Sequence, residues 1–221
     1  MKRLLNIDAS PRGDRSHSRR LSREFVEALQ QPASQETIVY RDVGRQPVPP
    51  VTEQWIAAAF TPLPRRTPEM CEVLRLSDEL VDELVLADTL VIGVPMYNFG
   101  IPASFKAYVD QIVRVGRTFL FEPEDPERPY KPLLKDKPAF VIVATGDAGY
   151  EAGGPLAELN HVDPYLRTIF GFIGITDLRF VHVGNDEFGG AKLEASLRRA
   201  REELARFARC EQALEAENSP A

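Results

Sequence analysis

The stretch "VIGVPMYNFGIPASFKAYVDQIVR", residues 91–114, decides the fold because it joins a strand directly to a helix. Residues 91–94 are apolar and partly β-branched, which predicts a buried strand. Residues 104–114 have the periodicity of a helix. The turn between them holds two aromatic residues, an amide and a glycine, bracketed by Pro95 and Pro102. A short polar link would need none of these, so the turn is a candidate binding loop.

Five β-rich runs alternate with helical patterns along the chain. The runs are residues 3–7, 37–40, 89–94, 139–144 and 177–183. Further helices are predicted at 18–29, after the capping residue Ser16, and at 67–87, which opens with Thr-Pro-Glu. This alternation predicts a parallel sheet covered by helices on both faces. We therefore predict an α/β fold, a flavodoxin-like doubly wound sheet of five parallel strands in the order 2-1-3-4-5.

The chain is predicted to form one domain over residues 1–221. Two proline-rich insertions, at about 45–66 and 122–138, are long for connections inside a compact domain, which is typical of lids and interface segments. They carry Trp55, Phe60 and Tyr130, more apolar surface than solvent-facing loops need. A terminal helix is predicted at about 191–216.

Composition narrows the classes of partner. The net charge is -6, and Lys and Arg are scattered, which argues against nucleic acid and gives no reason to expect membrane binding. Asp8 interrupts the first apolar run, and no stretch approaches the ~20 apolar residues that cross a bilayer. Cys71 and Cys210 stand outside any CxxC spacing, which suits reduced thiols rather than a metal site. We expect a cytoplasmic protein without a metal.

The loop after the first strand, "DASPRGDRSHS", is a candidate phosphate site. Ser10, Ser16 and Ser18 offer hydroxyls, Gly13 lets the chain turn, and the following helix presents free N–H groups and the positive end of its dipole. The spacing matches neither a P-loop nor a dinucleotide fingerprint, which favours a phosphomonoester that is held rather than transferred. The alternative is that Ser16 only caps the helix and Ser10 only forms a turn. His17 reads as a solvated loop residue rather than a catalyst.

The loops after the third and fourth strands add a candidate platform for a flat ring. Met96, Tyr97 and Phe99 supply apolar and aromatic surface, and the Asn98 amide is suited to a polyol or a ring heteroatom. The alternative is an aromatic cluster that plugs the end of the sheet. In "ATGDAGYEAGG", Gly146 permits close backbone approach, and Thr145 and Asp147 offer hydrogen bonds. A phosphate end, a polyol-sized middle and an aromatic platform together indicate flavin mononucleotide (FMN).

Three segments carry a family resemblance. "SPRGDRSHSRRLSREFVEAL", "PMYNFGIPASFKAYVDQIVRVGRTF" and "PYLRTIFGFIGITDLRFV" resemble the FMN-dependent NADH-azoreductases, which are also NADH:quinone oxidoreductases. The resemblance implies a homodimer with FMN at the subunit junction. It implies that Ser10 and residues 16–18 hold the phosphate and that residues 96–99 hold the ribityl chain and the ring. The family's Ser-Arg-Gly-Gly is replaced here by residues 145–148, so Asp147 is expected near the pyrimidine edge.

The expected activity follows from that cofactor. NADH would deliver a hydride through FMN, and a quinone or an azo compound would then take its place in a ping-pong cycle. The scheme requires no catalytic acid or base, so we expect no catalytic side chain. Phe121, Tyr130 and Phe172, with Phe119, are expected to line the open face of the ring; the alternative, above all for Phe119, is ordinary packing in the core or at the dimer interface. The alternatives are a flavodoxin-like electron carrier that does not use NADH, and a structural or regulatory protein that has kept the fold and lost the cofactor.

Overall fold

The computed structural model describes residues 2–30 and 36–218 and shows an α/β protein. A sheet of five parallel strands has the order β2-β1-β3-β6-β7, and a separate antiparallel pair is formed by β4 and β5. The strands are β1 (Arg3–Asp8), β2 (Thr37–Asp42), β3 (Thr89–Pro95), β4 (Phe119–Phe121), β5 (Tyr130–Pro132), β6 (Ala139–Ala144) and β7 (Leu178–Val183). Because β4 and β5 lie outside this sheet, β6 and β7 are its fourth and fifth strands along the chain. The predicted doubly wound sheet and its order 2-1-3-4-5 are therefore confirmed.

Helices cover both faces of this sheet. They are α1 (His17–Leu29), α2 (Glu53–Phe60), α3 (Pro68–Leu86), α4 (Ala103–Ile112), α5 (Asp163–Ile173) and α6 (Gly190–Asn218). The hydroxyls of Ser16 and Thr67 accept hydrogen bonds from the third amide of α1 and of α3, as the capping pattern predicts. None of the helices in residues 2–30 and 36–218 combines the length and the apolar character that a membrane span requires.

The strands divide the core into two halves because successive side chains point to opposite faces. In β3, Leu90, Ile92 and Val94 pack toward α3, α4 and α5, whereas Val91 packs toward α1 and α6. Every residue of β3 is buried, which is why its sequence reads as a continuous apolar run. The carboxyl end of β3 is thereby fixed beside those of β1 and β6.

The two insertions are not structureless loops. The first contains α2, and the second contains β5, which pairs with β4 just before the insertion. Trp55, in α2, is only 7% exposed because it packs against α3 and donates to Gln111 Oε1 of α4 at 2.8 Å. The expectation that Trp55 adds exposed apolar surface is therefore wrong. Phe60 and Tyr130 do expose their rings, at 64% and 53%.

Candidate functional site

The three predicted loops meet at one cavity of about 190 Å³ beyond the carboxyl ends of β1, β3 and β6. The strand order reverses between β1 and β3, and ligands of doubly wound sheets bind at such a point. The lining residues come from the β1–α1, β3–α4 and β6–α5 loops and, unexpectedly, from the loop after β7. They are Ser10, Arg12, Ser16, His17, Ser18, Pro95, Met96, Tyr97, Ala144, Thr145, Gly146, Asp186 and Glu187.

The three predicted serines lie together at the N-terminus of α1. Each is less than 5% exposed. Ser16 Oγ accepts from the Arg19 amide at 3.3 Å and lies 3.3 Å from Ser18 Oγ, and Ser10 Oγ accepts from the Arg12 amide at 3.3 Å. Three buried hydroxyls beside the free N–H groups of a helix end are suited to an oxyanion. The residues therefore fit the phosphate of FMN.

The Arg19 side chain holds the backbone of this loop in place, a role that was not predicted from the sequence. Its guanidinium donates to the carbonyl oxygens of Ser10 at 2.6 Å and Arg12 at 3.2 Å. It also donates to Asp8 at 3.1 Å and, in a two-pronged contact, to Asp42 at 2.6 and 2.8 Å. The loop carbonyls are thus bound to Arg19, while two carboxylates balance its charge. This leaves the serine hydroxyls and the free amides at the start of α1 as the groups available to a phosphate.

The pKa values of the two carboxyl groups that contact Arg19 are shifted in opposite directions: that of Asp8 is raised and that of Asp42 is lowered. Burial raises the pKa of Asp8, and the charge of Arg19 and the Ser22 hydrogen bond offset it only in part. Burial also acts to raise the pKa of Asp42. There, the hydrogen bonds from Arg19 and from the Arg45 amide, with the charges of both residues, outweigh burial and hold the pKa below its usual range. Because Asp42 keeps its charge to lower pH than usual, the Asp42–Arg19 ion pair holds the guanidinium beside the loop at neutral pH.

The turn after β3 has a strained backbone. Tyr97 and Gly100 exchange two backbone hydrogen bonds, of 2.9 and 3.0 Å, across Asn98 at φ 48° and Phe99 at φ 67°. Such two-residue turns ordinarily carry Asn-Gly, because a left-handed conformation costs a side-chain-bearing residue about 1–2 kcal/mol. The rings of Tyr97 and Phe99 stay 38% and 44% exposed. Exposed rings do not plug the sheet end, which favours the reading of this turn as a binding platform.

The loop after β6 contributes less than expected. Thr145 and Gly146 line the cavity, but the Asp147 carboxylate does not and instead accepts from the Ala148 amide at 2.7 Å. The Thr145 hydroxyl donates to the Asp147 carbonyl at 2.5 Å, which closes the loop on itself. A Cβ on residue 146 would lie 2.5 Å from Glu187 Oε1, so a larger residue here would require the Glu187 side chain to move. The expected role of Asp147 at the flavin edge stays a prediction.

The loop after β7 supplies two carboxylates that the sequence reading did not consider. The Asp186 amide donates to the Thr145 carbonyl at 3.3 Å, and the Glu187 amide donates to the Gly146 carbonyl at 3.0 Å. These bonds continue the pairing of β6 and β7 beyond the strand ends. The sequence does contain a signal for these two carboxylates. The segment "GNDEFGG" follows the last strand and therefore lies at the same edge of the sheet as the other loops of the cavity.

The expected substrate-lining aromatics form a separate cluster. Phe121 and Tyr130 lie on the β4–β5 pair, 5.3 Å apart between ring centres, and Tyr130 lies 5.6 Å from Phe172. Phe119 joins them, 5.0 Å from Phe172. Phe172 belongs to the last turn of α5, which leads back to the amino end of β7, so the cluster lies toward the opposite end of the sheet from the serines. None of the four lines the cavity of its own chain.

Known proteins resemble this chain in sequence and in fold. The pattern of the family described as having a flavodoxin-like fold matches residues 2–207. A protein of Nostoc punctiforme named FMN-dependent NADH:quinone oxidoreductase is 49% identical over 195 residues, which are 88% of this chain and 93% of that protein. An FMN-dependent NAD(P)H:quinone oxidoreductase 1 of Pseudomonas aeruginosa is 45% identical over 210 residues, covering 95% and 99% of the two chains.

A solved structure agrees with these relatives. The FMN-dependent NADH-azoreductase of Bacillus anthracis, crystallised in complex with FMN, superimposes with a TM-score of 0.76 at 26% identity over 94% of this chain and all of the other. The sheet order, the loops at the switch point and the relatives agree. The chain therefore belongs to the flavodoxin-like family whose members include the FMN-dependent NADH:quinone oxidoreductases and azoreductases.

Proposed function

We propose that this protein is an FMN-dependent NADH:quinone oxidoreductase that also reduces aromatic azo compounds. The observation that carries the proposal is the meeting of buried serine hydroxyls, the residues Met96 and Tyr97, and the glycine loop after β6 around one cavity. The names of relatives at 45–49% identity support the same activity. The electron carrier that does not use NADH has no comparable support.

The residues divide by the part of FMN that each would hold. Ser10 and the segment Ser16, His17 and Ser18 would bind the phosphate through hydroxyls and helix amides. Met96, Tyr97, Asn98 and Phe99 would hold the ribityl chain and the ring, and Thr145, Gly146 and Asp147 would border it. When bound, FMN supplies the two-electron hydride chemistry, and the protein supplies orientation and electrostatics.

The chain's own part in the reaction is to bind and to orient. NADH and one proton reduce a quinone to a hydroquinone and leave NAD⁺, so two electrons and two protons are transferred. Cleavage of an azo bond to two amines takes four electrons and therefore two such cycles. A single open ring face shared by both substrates in turn gives ping-pong kinetics. No side chain needs to act as an acid or a base in this scheme.

We propose further that the active form is a homodimer. Within one chain, Phe121, Tyr130 and Phe172 lie toward the opposite end of the sheet from the serines, so they would approach a flavin only in a symmetric partner. Tyr130 and Phe121 are 53% and 46% exposed, and a partner would cover them. Two-fold symmetry then gives two equivalent sites at the interface.

The test of the activity is the visible spectrum of the pure protein before and after NADH. We expect a yellow protein that releases FMN on denaturation, bleaches with NADH and regains its colour with a quinone. Double-reciprocal plots of steady-state rates should give parallel lines. A flavin that NADH does not bleach would favour the electron carrier, and a colourless protein that takes up no FMN would favour a protein that has lost its cofactor.

A further inference from the structure

Asp186 holds both of the basic side chains that line the cavity. Arg12 Nη1 donates to its Oδ2 at 2.6 Å, and His17 Nε2 lies 3.1 Å from its Oδ1. Asp186, Arg12 and His17 all line the cavity that contains the three serines. The two basic side chains that line the cavity are therefore bonded to a carboxylate of the β7–α6 loop.

Arg20 determines which nitrogen of His17 donates the hydrogen bond to Asp186. Arg20 Nη2 lies 3.2 Å from His17 Nδ1, and a guanidinium can only donate a hydrogen bond. Nδ1 must therefore accept, the ring proton sits on Nε2, and Nε2 donates to Asp186. Both ring nitrogens are occupied in this arrangement. His17 can offer its Nε2–H to a phosphate only by leaving Asp186.

The contacts with Asp186 can be exchanged at low cost. The Arg12 side chain is 50% exposed, and ion pairs with such exposure contribute little to stability. A phosphate monoester carries about -1.5 to -2 charges near neutral pH and offers three acceptor oxygens. It is a stronger acceptor for Arg12 than a single carboxylate. The Asp186 charge opposes entry of the same phosphate into the cavity.

We propose that Asp186 competes with the phosphate of FMN for Arg12 and His17, and that both side chains transfer their hydrogen bonds to the phosphate when the cofactor binds. The proposal rests on FMN binding at this cavity. It makes Arg12 a further phosphate ligand and Asp186 the residue that sets the affinity for FMN. Ser16 and Ser18 would hold the phosphate whether or not Arg12 and His17 leave Asp186.

The experiment measures FMN affinity by quenching of flavin fluorescence on titration with flavin-free protein. Asp186→Asn keeps the size of the side chain and removes its charge. We expect FMN to bind about tenfold more tightly to this variant, corresponding to one regained charged hydrogen bond, and the gain to shrink at high salt. Riboflavin, which lacks the phosphate, should bind equally to both proteins. Arg12→Gln should weaken FMN binding and abolish most of the gain in the double variant.

Glu187→Gln is the matched control. Glu187 lines the same cavity, but the hydrogen bonds of the described chain join it to neither Arg12 nor His17. The gain in FMN affinity from Glu187→Gln should therefore be clearly smaller than the gain from Asp186→Asn. Equal gains from the two variants, an equal gain for riboflavin, or unchanged or weaker FMN binding by Asp186→Asn would overturn the competition. If the wild-type protein binds no FMN, the proposed function fails as well. If FMN binds and Ser18→Ala weakens it while Asp186→Asn does not tighten it, only this inference fails.

Discussion

Ser18→Ala tests whether the buried hydroxyls serve a cofactor or the helix. Ser18 is fully buried, and within the described chain its hydroxyl contacts one polar side chain, Ser16 Oγ at 3.3 Å. If Ser18 donates to the phosphate of FMN, its removal takes away a hydrogen bond to a charged group, worth about 1.5–3 kcal/mol. FMN affinity should then fall about ten- to a hundredfold, as measured by fluorescence titration. Turnover at saturating FMN should change little because the reacting ring is remote from the phosphate.

Ser16→Ala is the informative comparison. Ser16 caps α1 by accepting from the Arg19 amide, so its loss should reduce the free energy of unfolding by about 1 kcal/mol as well as weaken FMN binding. Ser18 caps nothing, so Ser18→Ala should leave the unfolding of the flavin-free protein nearly unchanged. The reasoning is refuted if Ser18→Ala binds FMN with wild-type affinity. It is equally refuted if the variant loses stability in the flavin-free state as Ser16→Ala does.

Two further predictions concern assembly and acid stability. Light scattering should give a particle of about twice the 24.8 kDa chain mass, and Tyr130→Asp should split it with joint loss of flavin and turnover; a yellow, fully active monomer would contradict this. Because the pKa of Asp42 is lowered in the folded state, its charged form stabilises the protein above the unfolded pKa of about 3.9, and this contribution is lost as the pH falls through the lower folded value. Asp42→Asn should therefore be less stable than wild type to urea at neutral pH, with the difference closing in acid; a difference that does not depend on pH would disprove the linkage.

The sheet could be predicted from the sequence because its signals are local. Each of the five strands is an apolar or β-rich run between turn residues, and the switch-point rule then selects the loops that carry Ser10, Met96 and Thr145. The β4–β5 pair was not predicted because strands of three residues show no usable periodicity. Helix α2 was missed because its eight residues lie within a proline-rich segment that reads as a loop.

The ionic part of the site depends on contacts that no local pattern reveals. Asp186 reaches Arg12 across 174 residues, and Arg41 reaches Glu83 across 42. Both pairs are ordinary charged residues in the sequence, and only the folded sheet edge brings the first pair to the cavity. The position of the aromatic cluster, like the ion pairs, cannot be read from a local pattern in the sequence. Phe172 lies in the last turn of α5, and the direction of α5 relative to β7 decides which end of the sheet it occupies.

The turn at Asn98 and Phe99 is where local preference and observed structure disagree most. A glycine stands one position later, at Gly100, so the left-handed conformation falls on an aromatic residue instead. The Phe99 carbonyl accepts from the His161 amide at 3.0 Å, and the Met96 amide bonds to Ala144 at 2.8 Å, so the neighbouring loops hold the turn in place. Strain that the surroundings must hold in place is characteristic of ligand sites. Here it keeps the ring of Phe99 44% exposed in the same turn as Tyr97, which lines the cavity.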